Sequence, residues 1–391
     1  MPTLAVPGLL GFRRQFVDPE MQQLNIPMQN SLATLQKVAD GLITQMQDLD
    51  CPIIPGLPDD VAKICLALVP RCDIPVMGAV CKTWRSFVQS KEFLTVRKDA
   101  KQLEEWVFVL TGDDAQGGES HWEVWGGSGE KLKELLPMPG PAKAGFGVAV
   151  LDAKLIIVAG YVVDGGTECV SNDVYQYDSR LNRWSSLAKM SVARHDFACD
   201  VVNGLIYAVG GIGADGENLC SVEVYDPDKD RWTLIESLRR PRWGCFACSF
   251  DGLLYVMGGR SSFTIGNSRF VDVYSPQHRS WYDMKIGCVM VTTHAMLGKK
   301  LFCMGWRNQR RLSIFDPLEG SWHSVSVPVS GSCAIGFCFG IFGGKLLLFS
   351  VKDEPGYQTL SYDPDAPVGS QWQISSFKPS GVCLCSVTIE A

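Results

Sequence analysis

The sequence predicts a mainly β protein: a six-bladed propeller of four-stranded blades, closed by the C-terminal strand and preceded by a small α-helical module. Trp184, Trp232, Trp281 and Trp322 each follow an aromatic by seven residues, in Tyr177-Asp178, Tyr225-Asp226-Pro227, Tyr274-Ser275-Pro276 and Phe315-Asp316-Pro317; a looser copy runs from Tyr362-Asp363-Pro364 to Trp372. These tryptophans recur every 41 to 50 residues, and ahead of each an apolar run ends in small residues: Ala159-Gly160, Gly210-Gly211, Gly258-Gly259, Gly305 or Ser350. Self-similarity at this period marks a stack of supersecondary units, here blades of a propeller. The third observation is a strand-like run left over at the end of the chain, Val382 to Ile389.

The clearest repeat sets the template. Phe197–Val202 reads as strand a, Asn203-Gly204 as a hairpin turn, Leu205–Gly210 as strand b, Ser221–Asp226 as c and Arg231–Glu236 as d. Asp251-Gly252 and Gly343-Gly344 repeat the turn, and the double glycines allow positive φ and close backbone approach. The Tyr and Trp residues of strands c and d are expected to pack between neighbouring blades. Five blades follow this template from Gly145 to Phe377. A partial one, Trp106–Leu110, Trp122–Trp125 and Lys131–Leu136, has strands b, c and d but no a. An open ring would expose two edges, so the leftover strand is expected to supply the missing a.

Ahead of the ring, residues 1–31 carry prolines and little periodicity and read as disordered. Over 32–50, Leu32, Leu35, Ala39, Leu42, Met46 and Leu49 form an a/d seam on an amphipathic helix, which either folds onto the next module or dimerises. Residues 51–100 form a compact helical unit, and 104–391 the propeller. Pro58 with Asp59-Asp60 reads as a helix start, Val61, Cys65, Leu66 and Val69 as its apolar stripe, and Pro70 as its stop. Pro75 precedes a second helix with Val76, Val80, Trp84, Phe87 and Val88. So short a unit buries little core alone and is expected to dock on a partner.

The 391 residues are 46% apolar with a net charge of −6, which argues against a dedicated nucleic-acid binder. No apolar stretch reaches the roughly 18 residues of a membrane helix, so neither a nucleic-acid nor a membrane partner is expected. The fifteen cysteines are scattered and odd in number, and several lie in apolar strand runs (Cys199, Cys248, Cys303, Cys338). They read as reduced core residues and place the chain in a reducing compartment, the cytoplasm and/or nucleus.

Catalytic signals are sparse, and no catalytic residue, metal ligand or cofactor is expected. The five histidines fall in different repeats. Cys245 and Cys248 lie three apart on one strand and face opposite ways, while Cys383 and Cys385 share a face but make only half a metal site.

The helical unit carries a resemblance. Ile54-Pro55-Gly56-Leu57-Pro58-Asp59-Asp60-Val61-Ala62, continued by Val80-Cys81-Lys82-Thr83-Trp84-Arg85, closely resembles an F-box, and the repeats with their double glycine, Tyr and spaced Trp resemble kelch repeats. Together, over about residues 50 to 391, the chain is similar to the plant F-box/kelch-repeat family. The resemblance implies a non-catalytic substrate receptor of a Skp–cullin–F-box ubiquitin ligase. Leu57, Pro58, Val61, Leu66, Val80 and Trp84 would hold the Skp-family adaptor and through it a cullin–RING ligase. The propeller would hold a protein substrate for proteasomal degradation, with metabolic enzymes as one class of substrate among plant relatives. The alternative is a kelch scaffold that binds partners without degrading them.

The repeats suggest where a substrate binds. Aligned by their glycines, they bring Lys143, Arg194 and Arg242 to one position before strand a, beside Arg240 and Trp243. One reading is a site for an acidic or phosphorylated segment; the other is a habitual repeat position where the cation bonds loop carbonyls. Phe263, in the insertion 260–269, is a second candidate anchor.

Overall fold

The computed structural model describes residues 52–112, 120–164, 167–261, 271–284, 291–305, 308–328, 336–350 and 358–391. The expected segments 1–31 and 32–50, and Phe263, lie outside them. The chain divides into two compact units, Met1–Lys63 and Ile64–Ala391. No helix among the described residues is long and apolar enough to cross a membrane.

Four α-helices and a 3-10 turn lead the chain: α1 Asp59–Ala67, the turn Arg71–Asp73, α2 Ile74–Val80, α3 Lys82–Gln89 and α4 Lys91–Asp99. Asp59 and Asp60 occupy the first turn of α1, where the helix dipole favours acids. The expected second helix breaks at Cys81, whose extended backbone (φ −154°, ψ 168°) ends α2 and caps α3; its Sγ accepts from the Trp84 N–H at 3.4 Å. α4 was not expected. It starts at Ser90, whose hydroxyl accepts from the Phe93 N–H at 3.2 Å, a cap that Phe87 and Phe93 support edge-to-face.

The strands form six four-stranded sheets. Blade 1 holds β1 Glu105–Gly112, β2 His121–Trp125 and β3 Lys131–Glu134. Blade 2 holds β4 Gly147–Leu151, β5 Lys154–Val158, β8 Val174–Asp178 and β9 Arg183–Leu187, with an extra hairpin of β6 Tyr161–Asp164 and β7 Thr167–Val170 after β5. Blade 3 is β10 Ala198–Val202, β11 Leu205–Val209, β12 Val222–Asp226 and β13 Arg231–Ile235, each within a residue of its expected bounds. Blade 4 runs from β14 Trp243–Phe250 to β17 Ser280–Met284, blade 5 from β18 Val291–Leu297 to β21 Ser321–Ser326, and blade 6 from β22 Phe337–Phe342 to β25 Trp372–Ile374. The last strand, β26 Val382–Glu390, pairs antiparallel with β1 and completes blade 1, so the ring closes as expected.

Apolar clusters fill the six seams between neighbouring blades, for example Trp106, Phe108 and Ile389 against Leu155 and Tyr177 between blades 1 and 2. The repeated aromatics pair across strands c and d inside each blade: ring centroids of Tyr177–Trp184, Tyr225–Trp232 and Tyr274–Trp281 lie 5.3, 5.2 and 5.0 Å apart. The indole N–H then reaches the preceding blade, Trp184 to the Leu136 carbonyl at 2.9 Å and Trp232 to that of Ala188 at 3.1 Å. One residue type thus joins its own blade to the previous one. The double glycine is required for the same crowding. Gly211 has a φ of +100°, and a Cβ there would lie 2.6 Å from the His195 carbonyl.

One polar side chain sits in a seam. Asp200 on β10 is half-buried against blade 4, where Ser249 bonds it, and burial pushes its carboxyl up to about 6. An unfolded Asp titrates near ~3.9, so the folded chain holds the extra proton between the two values. The stability this contributes is full below pH about 4 and is lost as pH rises through about 6. Asp200→Asn removes the cost of the buried charge. Urea unfolding is expected to show a gain of about 1–2 kcal/mol at pH 7.5 that shrinks to nothing at pH 4.

Candidate functional site

Helices from Ile64 onward form one compact unit with the ring. Two buried arginines, Arg71 and Arg180, join them to the ring, and a third, Arg97, ties the helices to one another. Arg71 donates from Nη1 to the carbonyls of Glu104 at 2.6 Å and Ile389 at 2.8 Å, and from Nη2 to Ser179 Oγ at 3.2 Å; its guanidinium lies 4.0 Å over the Trp106 ring. Burial lowers its pKa to about 9, which leaves it charged at neutral pH. Arg97 on α4 donates to the carbonyls of Ala67, Val69 and Gln102. Arg180, held by both Asp178 oxygens, donates to the Ser90 carbonyl at 3.3 Å. Lys91 adds exposed ion pairs to Asp228 and Asp152.

Asp152, Ser179, Arg180 and Asp228 all lie in a–b or c–d turns, so the helices cover the turn face of the ring. The antiparallel order of each blade places the b–c and d–a connections on the opposite face. Those connections form the loop face of the ring.

The proposed adaptor residues divide. Leu57, Pro58 and Val61, in the first unit, are exposed, Leu57 by 38% and Val61 by 40%. In the second unit Val80 is exposed and Trp84 half-buried. Leu66 is the correction: at 3% exposure it belongs to the core and offers no docking surface. Ile64, Leu68 and Val76 are exposed instead. The i, i+4 spacing of Ile64 and Leu68, out of phase with Leu66, was the signal for them.

The cations at the repeat position turn inward, as the second of their two readings has it. Arg194 is fully buried and donates to the carbonyls of Gly210 at 2.8 Å and Ser221 at 2.9 Å and to Glu223, equally buried, at 2.9 Å. Arg242 donates to the Val256 carbonyl at 3.0 Å and pairs with Asp272 at 2.8 Å. Lys143 Nζ bonds Ser171 at 3.0 Å beside Asp173. Burial lowers the pKa of Arg194 and Lys143, and the acids opposite pull it back up. In each of these three blades the cation before strand a clasps an acid at the start of strand c, so the periodic position serves the blade. Arg240 is exposed on the loop face, and Trp243 is half-buried beneath Arg260, whose guanidinium lies 5.5 Å from its ring.

Blade 1 builds the clasp differently. Its acid, Glu123, is fully buried and meets Lys131 Nζ at 2.8 Å and the Ser380 N–H and hydroxyl from the closing segment. Burial raises the Glu123 carboxyl, and Lys131 and Ser380 outweigh it, holding the group below the usual range. His121, Glu123 and Glu134 converge at metal-ligand spacing, but the Lys131 ammonium, 2.7 Å from Glu134, already holds the place of a cation. Cys245 and Cys248 sit in different seams, as expected. Cys383 and Cys385 do so as well, against expectation, because a bulge opposite Leu110 and Thr111 turns the strand over between them.

Comparison with known proteins agrees with this architecture. The F-box domain model matches residues 54–95, and the Kelch motif model matches 142–191, 193–239 and 241–285. An F-box/kelch-repeat protein of Arabidopsis thaliana is 59% identical over 343 residues, covering 88% of this chain and 91% of its own. Another F-box/kelch-repeat protein of the same plant is 39% identical over 349 residues, covering 86% of this chain and 97% of its own. With helices and a six-bladed ring in the order these matches require, the chain belongs to the F-box/kelch-repeat family, as a substrate adaptor by architecture.

Proposed function

We propose that this chain is the substrate receptor of a Skp–cullin–F-box ubiquitin ligase. The exposed apolar residues of its helices hold the Skp-family adaptor, and the loop face of the ring holds a protein substrate for ubiquitination and degradation, Arg240 and Trp243 contributing at the rim. The observation that carries this reading is the docking of the helices by Arg71 and Arg180 on the turn face. It fixes the loop face in one orientation, and a receptor works by holding substrate lysines at high effective concentration near the charged enzyme. The chain's own chemistry is then proximity alone, and its reduced thiols suit the cytoplasm or nucleus.

Replacing Leu57 and Pro58 together by alanine tests this. Co-precipitation from proteasome-inhibited cells is expected to recover adaptor and cullin with the intact chain and to lose both, by at least ten-fold, with the variant, while a substrate accumulates on both baits. Equal recovery of adaptor and cullin by the two baits would refute it. So would a captured partner whose half-life is the same with and without the chain, which is the behaviour of a scaffold.

A further inference from the structure

The a strands of blades 2, 3 and 4 begin at equivalent residues, Gly145, Asp196 and Gly244. All three have left-handed backbones, with φ of +59°, +50° and +59°. They hand hydrogen bonds around the ring: Asp196 N–H donates to the Gly145 carbonyl at 2.9 Å, and Gly244 N–H to the Asp196 carbonyl at 2.7 Å. Glycine fits this conformation most readily, and Asp is among the few L-residues that adopt it. Asp196 therefore stands where the repeat is served by glycine.

Its side chain opens into a cavity of about 230 Å³ at the axial mouth on the loop face. Phe146, Phe197 and Phe246 wall the cavity, with Thr293 and His294 at the far side. Asp196 is the only formal charge among the described lining residues. His294 is neutral, because burial lowers its pKa to about 4; its Nε2 lies 3.1 Å from the Ala247 carbonyl and its ring 4.4 Å from that of Phe246. The carboxylate is 44% exposed. Its side-chain partner among the described residues is His195, whose Nδ1 lies 3.2 Å from Oδ2 and whose ring meets that of Tyr161 edge-on, centroids 4.9 Å apart. The nearest clasps, Arg194 and Arg242, are spent on Glu223 and Asp272.

We propose that the axial mouth binds a cationic side chain, lysine or arginine, presented by the protein substrate. The inference rests on the receptor reading above. A carboxylate facing a cavity without Lys or Arg beside it complements a positive charge, and aromatic walls add attraction for a cation over their faces. The recognised segment is thus basic at its centre, the reverse of the acidic segment that the periodic cations suggested.

The probe is the pentapeptide acetyl-Gly-Gly-Arg-Gly-Gly-amide, titrated into the full chain by ligand-observed NMR beside the same peptide with norleucine or glutamate at its centre. The arginine peptide is expected to bind at least five-fold more tightly than either control. Asp196→Asn, which keeps the shape, is expected to erase the preference. Asp196→Gly, which suits the left-handed backbone, should erase it while melting no lower than the parent. No preference for arginine, a preference for glutamate, or a preference that survives Asp196→Asn overturns the site. Asp196→Asn is expected to keep full adaptor capture, so the two readings fail separately: lost peptide preference with intact capture removes the site alone, and absent capture by the parent chain removes the receptor reading.

Discussion

Arg71→Met is expected to destabilise the chain by about 3–5 kcal/mol and to release the helices from the ring. The guanidinium bridges four parts of the molecule: the turn after α1, the lead-in to β1 at Glu104, the end of β26 at Ile389, and the c–d turn of blade 2 at Ser179. Methionine fills much of the same volume and stacks on Trp106, so the loss isolates the polar contacts. Three acceptors lose a bond, and one of them, the Ile389 carbonyl, is buried, where a lost donor costs roughly 1–3 kcal/mol. Glu104 and Ala391 still pair through their backbones, which keeps part of the closure. Urea unfolding gives the stability change. Limited proteolysis gives the release, as new cleavage at residues 100–104. Lys98→Met, on the exposed side of α4, is the control and should change stability by less than about 0.5 kcal/mol. An Arg71→Met chain within 1 kcal/mol of the parent and equally resistant to protease would show that the helices dock by shape alone.

This prediction concerns what the sequence did not display. In a short helical module, Arg71 and Arg97 look like the solvated side of an amphipathic surface. Their burial depends on carbonyls and a tryptophan contributed by other elements, one of them Ile389, more than three hundred residues on. Glu123 was hidden for the same reason, since half its partners come from Ser380. The ring was legible because each blade restates local rules: a turn with positive φ, a double glycine where backbones cross, and an aromatic pair on strands c and d. Closure was legible as a matter of counting, a blade short of one strand and a strand short of a blade.

The same regularity left the site with two readings. Lys143, Arg194 and Arg242 drew notice because they recur at one position, and recurrence across blades 2, 3 and 4 is what a structural clasp produces. A functional residue is better sought where the repeat is broken, as it is when an aspartate replaces glycine at residue 196. Leu66 was misassigned on a smaller scale. It falls on the apolar stripe of α1, and the stripe faces the core, so the exposed apolar residues of that helix are Ile64 and Leu68 on the other side.

Deleting Gly381–Ala391 should have the largest effect of all, loss of soluble protein. β26 pairs with β1 along its whole length, from Glu105 opposite Glu390 to Gly112 opposite Val382. Its removal uncovers both faces of the seam. Ile389 and Ala391 are fully buried against blade 2, and Cys383 lies in the cluster against blade 6. Burying a side chain the size of isoleucine contributes roughly 1.5–3 kcal/mol, and leaving a cavity costs more. The deletion also takes the Ile389 carbonyl, one of the Arg71 acceptors. What remains is a ring with two unpaired edges, β1 among them, apolar along its length with Val107, Phe108 and Val109. Exposed apolar edges pair with other chains, so aggregation is the expected fate. A milder version keeps the outcome measurable in solution: Ile389→Ala is expected to cost about 2–5 kcal/mol in urea unfolding. The closed-ring account fails if the truncated chain stays soluble and monomeric by size-exclusion chromatography and melts as one cooperative unit at the temperature of the intact protein.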